Sequence, residues 1–284
     1  MSDTLVLGAV AYDPKVVTIW EGFRNWFAAN GFAFDFLLYS NYERQVEDHL
    51  AGRFDVAWNS PLAWVRTRRA AAAQGRAAHA IAMRDTDCDL TSVVVVRADG
   101  DITAVEQLRG RVVGVGAVDS PQATLLPLSR LVAAGLSQPA ITVRRFDVLG
   151  GKHGDHIGGE RHAARALIAG EVAAACMIDG NHLLFTREGT LPAEATRVIA
   201  ETPTYDHCNM TVIGDPHEPK IARFRELLLG MSYDDPVARP LLDLEGLKQW
   251  RPGRVEGYAP LEAAVDQLAF YDEAGNVIAA DYRP

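Results

Sequence analysis

Cysteine is scarce in this chain. Cys88, Cys176 and Cys208 are the three present in 284 residues. They are odd in number and widely spaced, so reduced thiols are expected rather than a disulfide framework. Long apolar runs are missing as well. None approaches the ~20 residues of a membrane span, which excludes direct helical insertion into a bilayer. There is no basic surplus. A formal net charge of −9 argues against nucleic acid or an anionic membrane as the main partner. The start, Met1 to Gly8, has no basic segment followed by an apolar one. It reads as no signal peptide and a cytoplasmic location, or a periplasmic one if an export signal was removed. Internal repeats are absent, and Ala70 to Ala73 is the sole low-complexity tract. Gly151-Lys152-His153 lacks the glycine spacing and following Ser/Thr of a phosphate loop. No cofactor is expected.

What remains is 48% hydrophobic and 23% charged, a well-packed protein of one large or two smaller domains. Short β-rich runs alternate with helical ones. Leu5–Val10, Phe32–Leu38, Phe54–Trp58, Ala77–Met83, Thr91–Arg97 and Arg111–Gly116 read as strands. Between the first two, Ile19, Trp20, Phe23, Trp26 and Phe27 share one helical face. Later strands cover 141–147, 172–178, 197–201 and 209–213, and the end is mostly helical, at 217–230, 234–245 and 260–271. Strands alternating with helices predict an α/β architecture with mostly parallel sheets.

Two breaks suggest two lobes. One follows the apolar strand 91–97 at Ala98-Asp99-Gly100-Asp101; the other is Thr202-Pro-Thr-Tyr-Asp-His207. The expected division is residues 1–96 plus 205–284 in one lobe and 97–204 in the other, with both crossings acting as hinges. Ligands of open α/β sheets sit at the C-terminal strand ends. The loops there are Tyr12, Asn59-Ser60, Ser120 to Gln122 and Asp179 to Asn181. Trp58 and Trp64 flank one of them and are candidate cleft walls, although a core role is equally open.

One strand–turn–helix stands out, Gly114 to Pro127. Ser120 is a natural N-cap and Pro121 occupies the first helical position, where proline is tolerated best. The first N–H groups of such a helix have no internal partner, and with the helix dipole they attract anions.

The order of these pieces resembles the type II periplasmic-binding-protein fold. More narrowly it is similar to the phosphonate- and phosphite-binding substrate-binding proteins of ABC transporters. The carriers are Leu50 to Ala57 followed by Asn59 to Trp64, Val105 to Gly114, Ser120 to Pro127, His162 with Ile168 to Ala174, and Tyr258 to Leu261. The resemblance covers nearly the whole chain. It implies an α/β, two-lobed fold with a ligand cleft between lobes. It also implies a small anionic ligand and ABC-transporter membrane subunits as partners. In that family a Ser-Thr-Ser-Gly helix start holds the oxyanion, assisted by aromatic loops, a histidine and an acidic residue. Here Ser120, Gln122 and Ala123 fall on that helix start. His162 falls on the histidine, Asp206 near the acidic residue, and Tyr12 and Tyr42 on the aromatic loops. Ser-Pro-Gln-Ala replaces the hydroxyl cluster, so sulfonates and carboxylates join phosphonates as expected ligands.

A receptor or a cytoplasmic sensor is therefore the first expectation. The alternative is an enzyme on the same fold, a lyase or decarboxylase acting on a small cyclic or aromatic acid. Its catalytic candidates are His162, Asp206 and His207. His207 and Cys208 are neighbours in an extended run, so their side chains are expected on opposite faces. His153-x-x-His156, with Asp155 between them, matches no strong metal-ligand motif, and no metal is expected.

Overall fold

The computed structural model describes residues 4–154 and 157–284. Asp155 and His156 of the histidine-rich stretch lie outside the described residues. The chain opens with β1 (Leu5–Val10), α1 (Lys15–Ala29), β2 (Phe34–Tyr39), α2 (Tyr42–Leu50), β3 (Val56–Asn59), α3 (Pro61–Ala73) and β4 (Ala78–Arg84). It crosses to β5 (Ser92–Arg97) and β6 (Val112–Val115). A π-helical turn, Pro121–Leu125, runs directly into α4 (Leu126–Ala133). There follow β7 (Thr142–Arg145), α5 (Gly158–Ile168), β8 (Ala174–Ile178), α6 (Asp179–Arg187) and β9 (Thr196–Glu201). The return crossing leads to β10 (Asn209–Ile213), α7 (Pro219–Leu229), α8 (Arg239–Glu245), β11 (Trp250–Pro252) and α9 (Ala259–Gln267).

Two sheets result. The first has the order β11-β4-β10-β3-β1-β2 and the second β7-β6-β8-β5-β9. β1 runs parallel to β2 and β3, whereas β10 returns antiparallel between β3 and β4. The expected break after residue 96 falls inside β5. That strand pairs with β8 and β9, so residues 92–97 stand in the second sheet. β11, at three residues, is too short for any periodicity to reveal.

Local rules explain the element starts. Asn41, Ser60 and Ser120 each accept a backbone N–H three residues on, from Arg44, Ala63 and Ala123, which satisfies otherwise orphaned donors. The first lobe closes on an aromatic core. Phe27 packs 4.8 Å from Phe34 and 5.4 Å from Phe224, ring centre to ring centre. Phe27 and Phe224 are fully buried, and Phe34 is buried beside them. Burying one such ring contributes about 1.5–3 kcal/mol. A separate apolar cluster is shared across the lobes. Leu62, Trp64 and Val65 of α3 meet Val118, Leu125 and Leu126 from the second lobe, under Tyr258, Tyr271 and Tyr282 of the C-terminal segment. Cys88, Cys176 and Cys208 form no disulfide.

Candidate functional site

The starts of α3 and of the π-helical turn, marked by Ser60 and Ser120, are bound by one segment of the chain. The loop between β7 and α5 reaches from the second lobe into the first. Asp119 Oδ2 accepts the N–H groups of Gly151 at 2.6 Å and His153 at 3.2 Å. Gly151 O accepts Tyr42 N–H at 3.0 Å. Lys152 Nζ donates to the carbonyls of Ala11 and Ser40. The fully buried His153 ring stacks on Tyr42 at 4.7 Å.

The ring nitrogens of His153 meet Ser60 Oγ at 2.6 Å through Nδ1 and Glu43 Oε1 at 3.2 Å through Nε2. Tyr271 OH donates to the same Glu43 oxygen at 2.6 Å, and Arg66 lies 2.7 Å from the other. This network assigns the proton to Nε2, with Nδ1 accepting from the Ser60 hydroxyl. Burial pushes the Glu43 carboxyl up, but His153 and Arg66 outweigh it and hold the pKa below the ordinary range. At the second helix start, Gln122 Nε2 donates to Gly154 O at 2.5 Å. A peptide carbonyl of the chain thus stands at the helix start where the acidic head of a ligand is expected.

Beside this strap lies a cavity of about 300 Å³. Its walls come from both lobes and both crossings. Tyr12, Lys15 and Trp58 come from the first lobe, and Gln122, Gly154, Ile178 and Asn181 from the second. Arg84 ends β4, and Asp87, His207 and Cys208 lie at the crossings. Two cavities of about 340 and 380 Å³ lie elsewhere, lined by none of these strand-end loops.

The floor is charged and ordered. Arg84 donates to both oxygens of Asp87, at 2.6 and 2.9 Å, and to Glu245 Oε1 at 3.2 Å. Its guanidinium lies 5.1 Å from the Trp58 ring centre. Burial raises the Asp87 carboxyl, but Arg84 pulls it down to about 2. Glu160 is the opposite case. It accepts from Ile178 N–H at 3.0 Å and from Asn181 Nδ2 at 2.9 Å, yet burial pushes it up to about 7.

The structure distributes the expected site residues unevenly. Tyr12, Gln122 and His207 line the cavity. Tyr42, Ser60 and Ser120 are engaged by the strap or by their caps, and Ala123 is the capped residue. Asn59 is fully buried, bonded to Gln45, Thr67 and Thr211, and acts inside the first lobe. Asp179 is half-buried and accepts Gly180 N–H. Asp206 is fully buried and clamped by Arg254 at 2.6 and 2.7 Å, and it does not line this cavity. His162 is exposed on the outer face of α5 with Phe146 and Arg165. Trp64 is core, 5.6 Å from Tyr258. His207 and Cys208 precede β10, so the alternation of a strand does not apply to them. Their Nδ1 and Sγ atoms are 3.1 Å apart. Arg84, Asp87, Glu160 and the strap residue His153 were not among the expected site residues.

This geometry defines a two-lobed solute-binding architecture with its cavity at the crossings. A profile of the family described as "ABC transporter, phosphonate, periplasmic substrate-binding protein" matches residues 9–258, and the chain belongs to that family. No curated protein matches the chain. Several solved structures share the fold. PhnD1 from Prochlorococcus marinus, in complex with methylphosphonate, is 17% identical with a TM-score of 0.69, over 94% of this chain and 98% of that one. XAC2383 from Xanthomonas citri, bound to chloride ion, is 19% identical with a TM-score of 0.71, again over 94% and 98%. The periplasmic aliphatic sulphonate binding protein SsuA from Escherichia coli is 15% identical with a TM-score of 0.59, over 95% and 87%.

Proposed function

We propose that the chain is a receptor for a small phosphonate, sulfonate or carboxylate, held in the cavity beside the strap. The observation that carries this reading is the placement of Lys15, Gln122 and Asn181 around one interlobe space of about 300 Å³. That volume sits at the lower end of the range for ligand sites, about 300–1,000 Å³. Charge-assisted donors suit an oxyanion, and Tyr12 and Trp58 supply apolar walls for its organic part. Two motifs of the family reading support the same ligand class: the capped helix start at Ser120 and the aromatic loop at Tyr12. The lobes divide near Leu90 and Tyr205, whose backbones pair across the two crossings, and the crossings serve as hinges. Family membership supports transfer of the solute to ABC-transporter membrane subunits on the periplasmic side. Among the described residues no helix is long and apolar enough to cross a membrane.

The alternative enzyme finds less support. Of His162, Asp206 and His207, one residue lines the cavity, His207. The test is calorimetry against methylphosphonate, methanesulfonate and benzoate, with a thermal-shift screen beside it. Ligands that bind only the folded state raise its melting temperature by mass action. Chemical turnover of any of the three, in place of stable binding, would replace the receptor by the enzyme.

A further inference from the structure

Among the described residues, one group of His, Cys, Asp or Glu brings at least three donor atoms together. Asp87, His207 and Cys208 place theirs within 4.8 Å of one another. Asp87 arrives from the crossing after β4, and the other two from the return crossing before β10. His207 Nδ1 lies 3.1 Å from Cys208 Sγ and 3.5 Å from Asp87 Oδ1. Tetrahedral zinc, with bonds of ~2.0–2.3 Å, spaces its ligand atoms by about 3.3–3.7 Å. The two separations from His207 Nδ1 are close to that.

The donors are also held in place. His207 N–H donates to Asp87 O at 2.8 Å, and Tyr258 OH donates to His207 O at 2.9 Å. Arg84 binds both oxygens of Asp87. Outer contacts of this kind orient the residues that bind the ion in metal sites. Arg84 brings a repelling charge, which Asp87 and Glu245 both face. Asp87 is 1% exposed and Cys208 3%, so the cluster is no solvated acidic patch. Gln122 lines the same cavity at 4% exposure, and its Oε1 has no hydrogen-bond partner among the described residues.

We propose that Asp87, His207 and Cys208 bind a thiophilic divalent ion such as Zn²⁺, with its open coordination position toward the interlobe cavity. Thiolate, imidazole and carboxylate together suit zinc and cobalt. The Cys208 thiol releases its proton to solvent as the ion binds. Three protein ligands leave a fourth position, and a small anion in the cavity can fill it. That last step rests on the receptor reading; ion binding itself does not.

The test uses the reduced, full chain titrated with Co²⁺. A thiolate-to-cobalt absorption in the near ultraviolet should saturate at one ion per chain, and Zn²⁺ should displace it. Cys208→Ser and His207→Asn should each weaken binding at least a hundredfold, whereas Cys88→Ser should not. Thermal unfolding of each variant without metal separates ligand loss from misfolding. Absence of the band overturns the proposal. So does a band that survives Cys208→Ser, or rapid alkylation of Cys208 with no metal uptake. Methylphosphonate added to the cobalt form should alter its visible spectrum. Metal uptake without any anion binding would sink the receptor reading and leave the ion site standing. Anion binding with no cobalt band would do the reverse.

Discussion

His153 Nδ1 lies 2.6 Å from the hydroxyl of Ser60, a contact between a loop of the second lobe and a helix cap of the first. The same ring stacks on Tyr42 and meets Glu43. Replacing His153 with Ala removes these contacts and leaves the buried Glu43 with one partner fewer. Unsatisfying a buried group costs about 1–3 kcal/mol. Urea unfolding of His153→Ala should show a loss of that size. A difference below about 0.5 kcal/mol, the level of ordinary surface substitutions, would mean that the strap is not fastened there.

Gly154 holds the strap against the second helix start. Its φ is +70°, and an added Cβ would lie 2.3 Å from Ser120 Oγ. Neither the backbone nor the space admits a side chain. Gly154→Ala should push the strap away and free the Ser120 helix start for a ligand. Methylphosphonate affinity is expected to rise about tenfold, ~1.4 kcal/mol, while the melting temperature falls. Equal affinity by calorimetry would show that strap and ligand do not compete.

Gln122 and His162 make a paired test of the site. Gln122→Ala should weaken anion binding about tenfold, the worth of one hydrogen bond to a charged group. His162→Ala should leave affinity unchanged, since its side chain lies on the outer face of α5. The opposite ranking in titration calorimetry would move the site away from the cavity.

Glu160 predicts a pH dependence. Its carboxyl titrates near 4.5 in an unperturbed setting and near 7 in the fold, because burial disfavours the charge. Between those values the folded state holds the extra proton. Its contribution to stability is full below about pH 4.5 and is lost as the pH rises to about 7. His49, lowered to about 4 by burial, acts in the other direction, losing its contribution as the pH falls. Comparing Glu160→Gln with the parent isolates the first effect. The variant should gain relative stability by up to ~1.4 kcal/mol per pH unit across that window. Parallel stability profiles would reject the assignment.

Gly257 supports the buried ion pair at the return crossing. A Cβ there would stand 2.1 Å from Asp206 Cγ, and Arg254 fixes Asp206 from the other side. Gly257→Ala should cost about 1–3 kcal/mol, the usual range for overpacking. An unchanged melting temperature would show that the crossing can yield.

The sequence made the scaffold legible because local rules govern it. Caps at Ser60 and Ser120, and the alternation of strand and helix, need no distant contact to be read. The site was read less well. His162, expected in the site, points outward, whereas Glu160, two residues away, is buried behind the cavity residues Ile178 and Asn181. At about 100° per residue on a helix, two residues turn a side chain to the opposite face. An ionisable side chain turned toward the apolar face of α5 was the available signal for Glu160. The strap was hidden because His153 finds Ser60 and Glu43 at separations of 93 and 110 residues. Alternation does not govern His207 and Cys208 because the strand begins at Asn209, two residues later than that rule requires.

The apolar seam shared by α3, the π-helical turn and the C-terminal tyrosines has a thermal consequence. Parting the lobes would bring Leu62, Leu125 and Tyr282 into water, and hydrating such surface raises the heat capacity. Closure around a ligand should then carry a negative heat-capacity change larger than the buried ligand alone explains. The driving force of apolar contact fades on cooling, so the lobes should part more readily in the cold than at room temperature.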